Sequence, residues 1–253
     1  AEMWPLFEAH PAAAALHAGE RLERSLLRTY GISESAVAHA FEQAGGDAHG
    51  TTTTICARRA EVEVLVRAPE RARAARERLT DGMRERLAEG LFSEDERPLE
   101  QLVLDAARAR GVTMATAESC TAGLVAARLT EVAGSSDVVV GGIVAYANEL
   151  KQGLLGVSDE ILEQHGAVSA ECAEAMAQGA LAATGAGLAI STTGVAGPGG
   201  GSEEKPVGLV FVHCASSLGT ASRRLLLPGD RAAVRDGTTT AALHMALGLL
   251  RAG

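Results

Sequence analysis

Aromatic residues make up only 3% of the 253-residue chain. Base-stacking platforms need exposed rings, so binding of single-stranded nucleic acid by stacking is disfavoured. The core must instead be built from Ala, Val, Leu and Ile. Paired cysteines are also lacking: Cys56, Cys120, Cys172 and Cys214 stand far apart, with no C-x-x-C pair and no Cys/His spacing suited to zinc. They read as reduced thiols of a cytoplasmic protein, and no metal site is expected. No run approaches the roughly 20 apolar residues that cross a bilayer, and no basic or apolar leader opens the sequence, so no membrane partner is expected. Basic residues number 23 against 32 acidic ones, a formal charge of −9 that works against broad binding to nucleic acid. The opening Ala1-Glu2-Met3, followed by an acidic segment with Pro5 and Pro11, reads as a processed or truncated form of something longer.

Lysine is the sharpest scarcity. Every basic residue is Arg except Lys151 and Lys205. A guanidinium does not lose its proton in a protein, whereas a desolvated ammonium shifts down and can act as a general base. Lys151 is therefore the candidate base, with a solvated surface lysine as the plain alternative for it and for Lys205.

The chain divides near residue 95, where the acidic run Ser93-Glu94-Asp95-Glu96 precedes Pro98. Before it, Gly31 breaks the preceding element and Ser33 opens a short helix that Gly45-Gly46 stop. Thr51 to Ile55 and the alternating Val62 to Val66 are strand-like around an Arg58-Arg59 turn. Pro69 then starts a long charged helix over about 70–89. This is a small α+β unit. From Leu99 the pattern lengthens: a helix to Arg110, a strand from Val112 to Ala117, a helix from about Thr121 to Val132 and a buried strand over Val138 to Tyr146. Helices follow near 148–154, 158–165 and 169–183, then strands over Gly187 to Thr193, Val207 to Cys214 and Ala221 to Leu227, and a closing helix from about Arg231 to Leu250. Such alternation predicts an α/β fold, a three-layer α/β/α domain behind the small N-terminal one.

The segment Ala117 to Gly123 lies between a strand and a helix, where open α/β sheets bind ligands. Helix N–H groups there can hold a phosphate or the oxyanion of an attacked carbonyl, which makes Ser119 a nucleophile candidate; a helix cap by Ser119 or Thr121 is the alternative. Cys120 beside it has no nearby His to activate it. Tyr146 can relay a proton or orient Lys151, or be an ordinary core tyrosine. The glycine-rich loop from Thr192 to Gly201 has neither the G-K-[ST] ending of a P-loop nor G-x-G-x-x-G spacing before a helix, but its glycines allow close approach to a phosphate or ring. Arg231 and Arg235, four apart, can clamp a phosphate or pair with neighbouring acids. His165, His213 and His244 lack partners at metal-ligand spacing and read as structural.

Taken together, several ordered stretches resemble the C-terminal domain of the CinA family of competence/damage-inducible proteins. They are Ala117-Glu118-Ser119-Cys120-Thr121, Gly134-Ser135-Ser136, Gly142-x-Val144-x-Tyr146-x-Asn148-x-x-Lys151, Val168-Ser169, Thr193 to Gly201, Lys205-Pro206-Val207-Gly208 and Arg231-x-x-x-Arg235. The resemblance implies hydrolysis of the carboxamide of nicotinamide mononucleotide to nicotinate mononucleotide and ammonia, without a cofactor. By position, Ser119 would be the nucleophile, Lys151 its base and Tyr146 the assisting group. Cys120, Thr121, Thr193, Gly194, Gly197, Gly200, Lys205, Arg231 and Arg235 would hold the oxyanion or the nucleotide. The family usually has Gly-Gly after the Thr; this chain has Ala122-Gly123, which leaves a catalytically inactive nucleotide-sensing or scaffolding module, or a different small amide substrate, as alternatives. Residues 1 to 95 resemble the family's KH-like middle domain. Gly46-Asp47-Ala48-His49-Gly50 is one residue too long for a G-x-x-G loop and carries an acid, so no nucleic acid is expected there. A symmetric homo-oligomer is expected.

Overall fold

The computed structural model describes residues 21–252, divided into two compact units, Ala1–Glu96 and Arg97–Gly253. In the first, β1 (Leu22–Tyr30), α1 (Glu34–Gln43), β2 (Thr52–Arg58), β3 (Glu61–Pro69), α2 (Arg73–Arg86) and β4 (Leu91–Ser93) follow in order. The Ser33 hydroxyl caps α1, accepting from Ala36 N–H at 3.2 Å. Strands β2 and β3 turn through Arg59 and Ala60, both with positive φ. The sheet runs β2-β3-β1-β4, wholly antiparallel. Val62, Val64 and Val66 of β3 and Leu27 of β1 pack with Val37, Leu79 and Met83 of the two helices.

This βαββαβ order, with two helices on one face, is the ferredoxin-like arrangement, where a KH-like domain was expected. Two elements account for the difference. β1 is a continuous nine-residue strand, and Leu91–Ser93, which carries no strand pattern of its own, pairs with it at Arg28 and Thr29. The 46–50 segment is used internally, since the Asp47 carboxylate accepts from Thr53 N–H at 2.9 Å and from the Thr53 hydroxyl at 2.7 Å.

The second unit contains α3 (Leu99–Arg110), β5 (Met114–Glu118), α4 (Leu124–Thr130), β6 (Val139–Val144), α5 (Asn148–Leu155), α6 (Asp159–Gln164) and α7 (Ala170–Thr184). It continues with β7 (Leu188–Gly194), β8 (Leu209–Ser216), β9 (Gly219–Leu226) and α8 (Arg231–Ala252). The sheet order is β6-β5-β7-β8-β9, parallel across β6, β5 and β7 and antiparallel thereafter. Small residues let helices approach closely: Ala117, Ala189 and Ala215 pack with Cys172, Met176 and Ala177 of α7. On the opposite face Val210 packs with Val234 of α8. Helix α8 also packs on α3, and Arg128 of α4 ties these layers by bonding Glu100 of α3 at 2.9 Å and Thr240 of α8 at 2.7 Å. The fold is the three-layer α/β/α domain expected. One strand differs: β6 is an edge strand with alternating exposure, and its valines Val140 and Val144 are exposed, where a buried strand was expected.

Candidate active site

β6 and β7 flank β5, so the chain leaves β5 in one direction and returns on its other side. That reversal opens a crevice at the carboxyl ends of the parallel strands. Three loops meet there: Ser119 to Gly123 after β5, Ala145 to Ala147 after β6 and the glycine-rich loop after β7.

The β5 loop is a tight turn, with Ala122 at φ 50° and Gly123 at φ 95°, so α4 begins only at Leu124. Ser119 is 8% exposed, and its N–H donates to Thr192 O at 2.9 Å, fixing the turn to the end of β7. The expectation that helix N–H groups stay open for a ligand is corrected here. The fully buried Glu118 carboxylate accepts from Gly123, Val125 and Ala126 N–H at 2.8, 3.1 and 2.9 Å, and from the Thr121 hydroxyl at 2.7 Å. A helix N-terminus needs such acceptors, and this one is supplied from within the protein. Since Thr121 gives its proton to Glu118, the 2.6 Å contact between the Thr121 and Thr192 hydroxyls has Thr192 as donor. Ala122 N–H returns to Ser119 O, and the N–H groups of Cys120 and Thr121, which have no backbone acceptor among the described residues, face the Cys120 sulfur.

Lys151 enters from the first turns of α5 and is 1% exposed, the bulkiest of the fully buried side chains described. Its Nζ donates to the Tyr146 carbonyl at 2.9 Å. Burial pushes its pKa below the ordinary 10.5, against weaker upward pulls from Cys172, Cys120 and Tyr146. Helix α5 is held down by a close approach to α7: a Cβ on Gly179 would lie 1.9 Å from Leu155 O, so only glycine fits. Burial drives the Cys120 thiol up to about 12, which leaves it inert as a nucleophile at neutral pH.

Tyr146 is 56% exposed, and its hydroxyl lies 3.0 Å from Arg231 Nη2. The lysine is thus oriented by the tyrosine's carbonyl rather than by its phenol. The two arginines have partners that sequence did not suggest. Arg231 donates to Gly197 O at 2.9 Å, and Arg235 to Cys120 O at 3.1 Å and Thr121 O at 2.8 Å, so both stitch the three loops together. With Ala196, Pro198 and Val207 they line a cavity of about 630 Å³. Gly194 and Gly197 serve packing, since a Cβ on either would crowd Val210 or Val207; Gly200 has open space around it. The Thr193 hydroxyl is spent on Ala167 O at 2.6 Å. Lys205 lies apart: its Nζ donates to His165 O at 2.6 Å beside a smaller cavity of about 380 Å³ that Ser169, Phe211 and Arg224 also line. Both lysines act on the Cys172 thiol, pulling its pKa down against burial, which prevails and raises it.

Glu118 has no role that the sequence alone assigns. Its signal is an acid closing an otherwise uncharged strand, Met-Ala-Thr-Ala-Glu, just before a turn. The carbonyl partners of Arg231 and Arg235 left no sequence signal.

Comparison with known proteins assigns the unit. Residues 96–250 match the CinA C-terminal domain. The chain belongs to the CinA family. It is 44% identical over 252 residues to a CinA-like protein of Mycolicibacterium gilvum, covering 96% of this chain and 59% of that relative. It is also 44% identical over 231 residues to a putative competence-damage inducible protein of Desulforudis audaxviator, covering 90% of this chain and 56% of that one. The chain therefore spans little more than half the length of these relatives. Among solved structures, the competence/damage inducible protein CihA of Agrobacterium tumefaciens superposes with a TM-score of 0.58 at 42% identity, covering 62% of this chain and 99% of that one. In this CinA-family chain, none of the described helices is long and apolar enough to cross a membrane. No group of three or more His, Cys, Asp or Glu among the described residues is placed to hold a metal ion.

Proposed function

We propose that the C-terminal unit hydrolyses the carboxamide of nicotinamide mononucleotide, releasing ammonia and nicotinate mononucleotide. The observation that carries this reading is Lys151, a buried amine held by one backbone carbonyl, at the same strand ends as Ser119. Burial of an unpaired amine costs folding energy and is useful where the neutral form must accept a proton.

In the proposed sequence, neutral Lys151 takes the Ser119 proton as the oxygen attacks the amide carbon. The N–H groups of Cys120 and Thr121 receive the oxyanion. The lysine proton passes to the departing nitrogen, the C–N bond breaks and ammonia leaves an acyl-serine ester. Water, deprotonated by the same amine, then hydrolyses that ester and restores the serine. No hydrogen bond joins Ser119 to Lys151 among the described residues; catalytic hydrogen bonds of unliganded enzymes commonly tighten only with substrate. The nucleotide would occupy the cavity below Arg231 and Arg235, with Tyr146 at its rim. No cofactor enters the scheme.

Ammonia release from the mononucleotide, compared between the chain and its Ser119→Ala variant, tests the proposal. Release that vanishes with Ser119 supports it. The strained Ala122, a non-glycine residue at positive φ in the oxyanion turn, favours one rival, a binding module without turnover. That rival predicts heat protection by the mononucleotide, no ammonia from either protein and unchanged binding by Ser119→Ala.

A further inference from the structure

The N-terminal unit holds a cavity of about 950 Å³ where β1 begins, β3 ends and α2 starts. Its walls carry Arg21, Arg24, Arg67, Arg73 and Arg76 against Glu23 and Glu70. In a chain of net charge −9 this is a local reversal of sign, in a cavity of the size that small ligands fill. A second observation is independent of the cavity. Arg24 and Arg67 stand directly opposite one another in the β1–β3 register, and like charges in that position weaken an antiparallel pair.

The protein answers part of this charge itself. Arg24 pairs with Glu96 at 2.7 Å, Arg73 with Glu77 at 2.8 Å and Arg76 with Glu23 at 2.7 Å. Arg21 and Arg67 have no carboxylate partner among the described residues; the Arg67 guanidinium donates to the Thr54 hydroxyl at 3.3 Å. Arg76 is only 9% exposed, and its Nε is buried without an acceptor among the described residues. Helix α2 starts behind these groups with no side-chain cap.

We propose that this cavity binds a small phosphorylated molecule with the charge of a pyrophosphate, with Arg21 and Arg67 as its main ligands. Guanidinium forks grip phosphate oxygens in pairs, which suits a site whose cations are all arginine. The bound anion would also offset the repulsion between Arg24 and Arg67. A nucleic-acid strand fits poorly, because its backbone would have to run past Glu23 and Glu70 and across an acidic chain.

The inference concerns the other unit and does not depend on the amidase reading. Its test is thermal melting of the full chain in phosphate-free chloride buffer with added inorganic pyrophosphate. The expected result is a saturable rise in melting temperature that needs at least tenfold more pyrophosphate in Arg21→Gln/Arg67→Gln, and is kept in Arg231→Gln. Without ligand, Arg67→Gln alone should melt above the unsubstituted chain, because it removes the opposed charge. No rise, a rise unaffected by the double substitution, or one lost in Arg231→Gln would overturn the proposal. So would tighter binding of single-stranded RNA than of pyrophosphate, or a lower melting temperature for unliganded Arg67→Gln.

Discussion

The two units spend their charges differently. In the N-terminal unit most ion pairs lie at the surface, such as Arg84 with Glu94 and Arg24 with Glu96, and the buried Arg28 is matched by buried Glu61 and stacked over Phe92. In the C-terminal unit Arg128 and Glu100 are similarly matched, but Glu118 and Lys151 are buried with no ion pair among the described residues, satisfied by N–H groups, a hydroxyl and a carbonyl. A paired surface charge costs little and contributes little. A buried ionisable group without a counter-ion is expensive, so its persistence marks a place where the protein needs that group itself. Both such groups lie at the carboxyl ends of the parallel strands, and the antiparallel unit shows no counterpart among its described residues.

Removing the costly amine should give the largest effect and separate function from stability. Lys151→Met keeps most of the side-chain volume and loses the proposed base, so the proposed amide hydrolysis should fall by about 10³-fold or more, the upper range for a catalytic proton acceptor. The sign for stability is opposite. Burial lowers the lysine pKa in the folded chain, so below the ordinary value of 10.5 the unfolded chain takes up the proton first. Stability tied to this group is complete only above that value and declines as pH falls toward the lowered one. At neutral pH the methionine variant should therefore melt higher than the parent. In the parent, turnover should rise with pH as Lys151 deprotonates; a flat profile with full activity in Lys151→Arg would remove the lysine from the mechanism.

Glu118→Gln probes the other unpaired group. A glutamine amide offers one acceptor oxygen and two donors, so it cannot receive the bonds that Gly123, Val125, Ala126 and Thr121 now make. At least one buried N–H would lose its partner, a cost of about 1–3 kcal/mol. The Ser119 turn should loosen, lowering kcat by roughly 10–100-fold with a smaller change in KM, as for other supports of a reacting group. Equal loss in both parameters would show that the carboxylate supports the fold alone.

His213 gives a smaller effect, read through acid stability. Both ring nitrogens are buried without a partner among the described residues; Ser191 and Ser222 lie opposite it on β7 and β9, and Glu174 of α7 acts on it electrostatically. Burial lowers its pKa below the ordinary 6.5, and Glu174 only partly opposes this. The unfolded chain therefore protonates first as pH falls below that value. Stability should decline there, by at most about 1.4 kcal/mol per pH unit for one proton. His213→Leu should flatten that limb of a denaturation series; an unchanged slope would assign it to other groups.

The same contrast explains what sequence made legible. The α/β/α layers were readable because Ala, Val and Leu repeat with clear periods, and Lys151 stood out because arginine does every other basic task but that of Lys205. The edge position of β6 was hidden, since Val139 to Val144 is as apolar as a buried strand. Strand β4 was hidden because three residues carry no period and β1 supplies the pairing. The glycine loop suggested a ligand, yet Gly194 and Gly197 answer to Val210 and Val207, contacts made across the β7–β8 hairpin that local pattern does not encode. The arginine pair was placed at the site, but its bonds to three carbonyls depend on loops that converge only in the fold.

The smallest effect should come from the other side of the comparison. Arg84 grips Glu94 with two bonds of 2.7 Å and also contacts Asp81, and the Glu94 bonds are the main reason its pKa is raised. By bond count it exceeds Lys151, which makes one. Yet the arginine and its partners are solvent-exposed, so water and salt replace much of what a substitution removes. Arg84→Gln should cost no more than about 1 kcal/mol and leave amide hydrolysis unchanged. Denaturant titration at low and high salt checks this, with the difference shrinking as salt rises. A cost above that of Glu118→Gln would show that the surface pairs of the antiparallel unit carry its stability, and the contrast in how the two units use charge would fail.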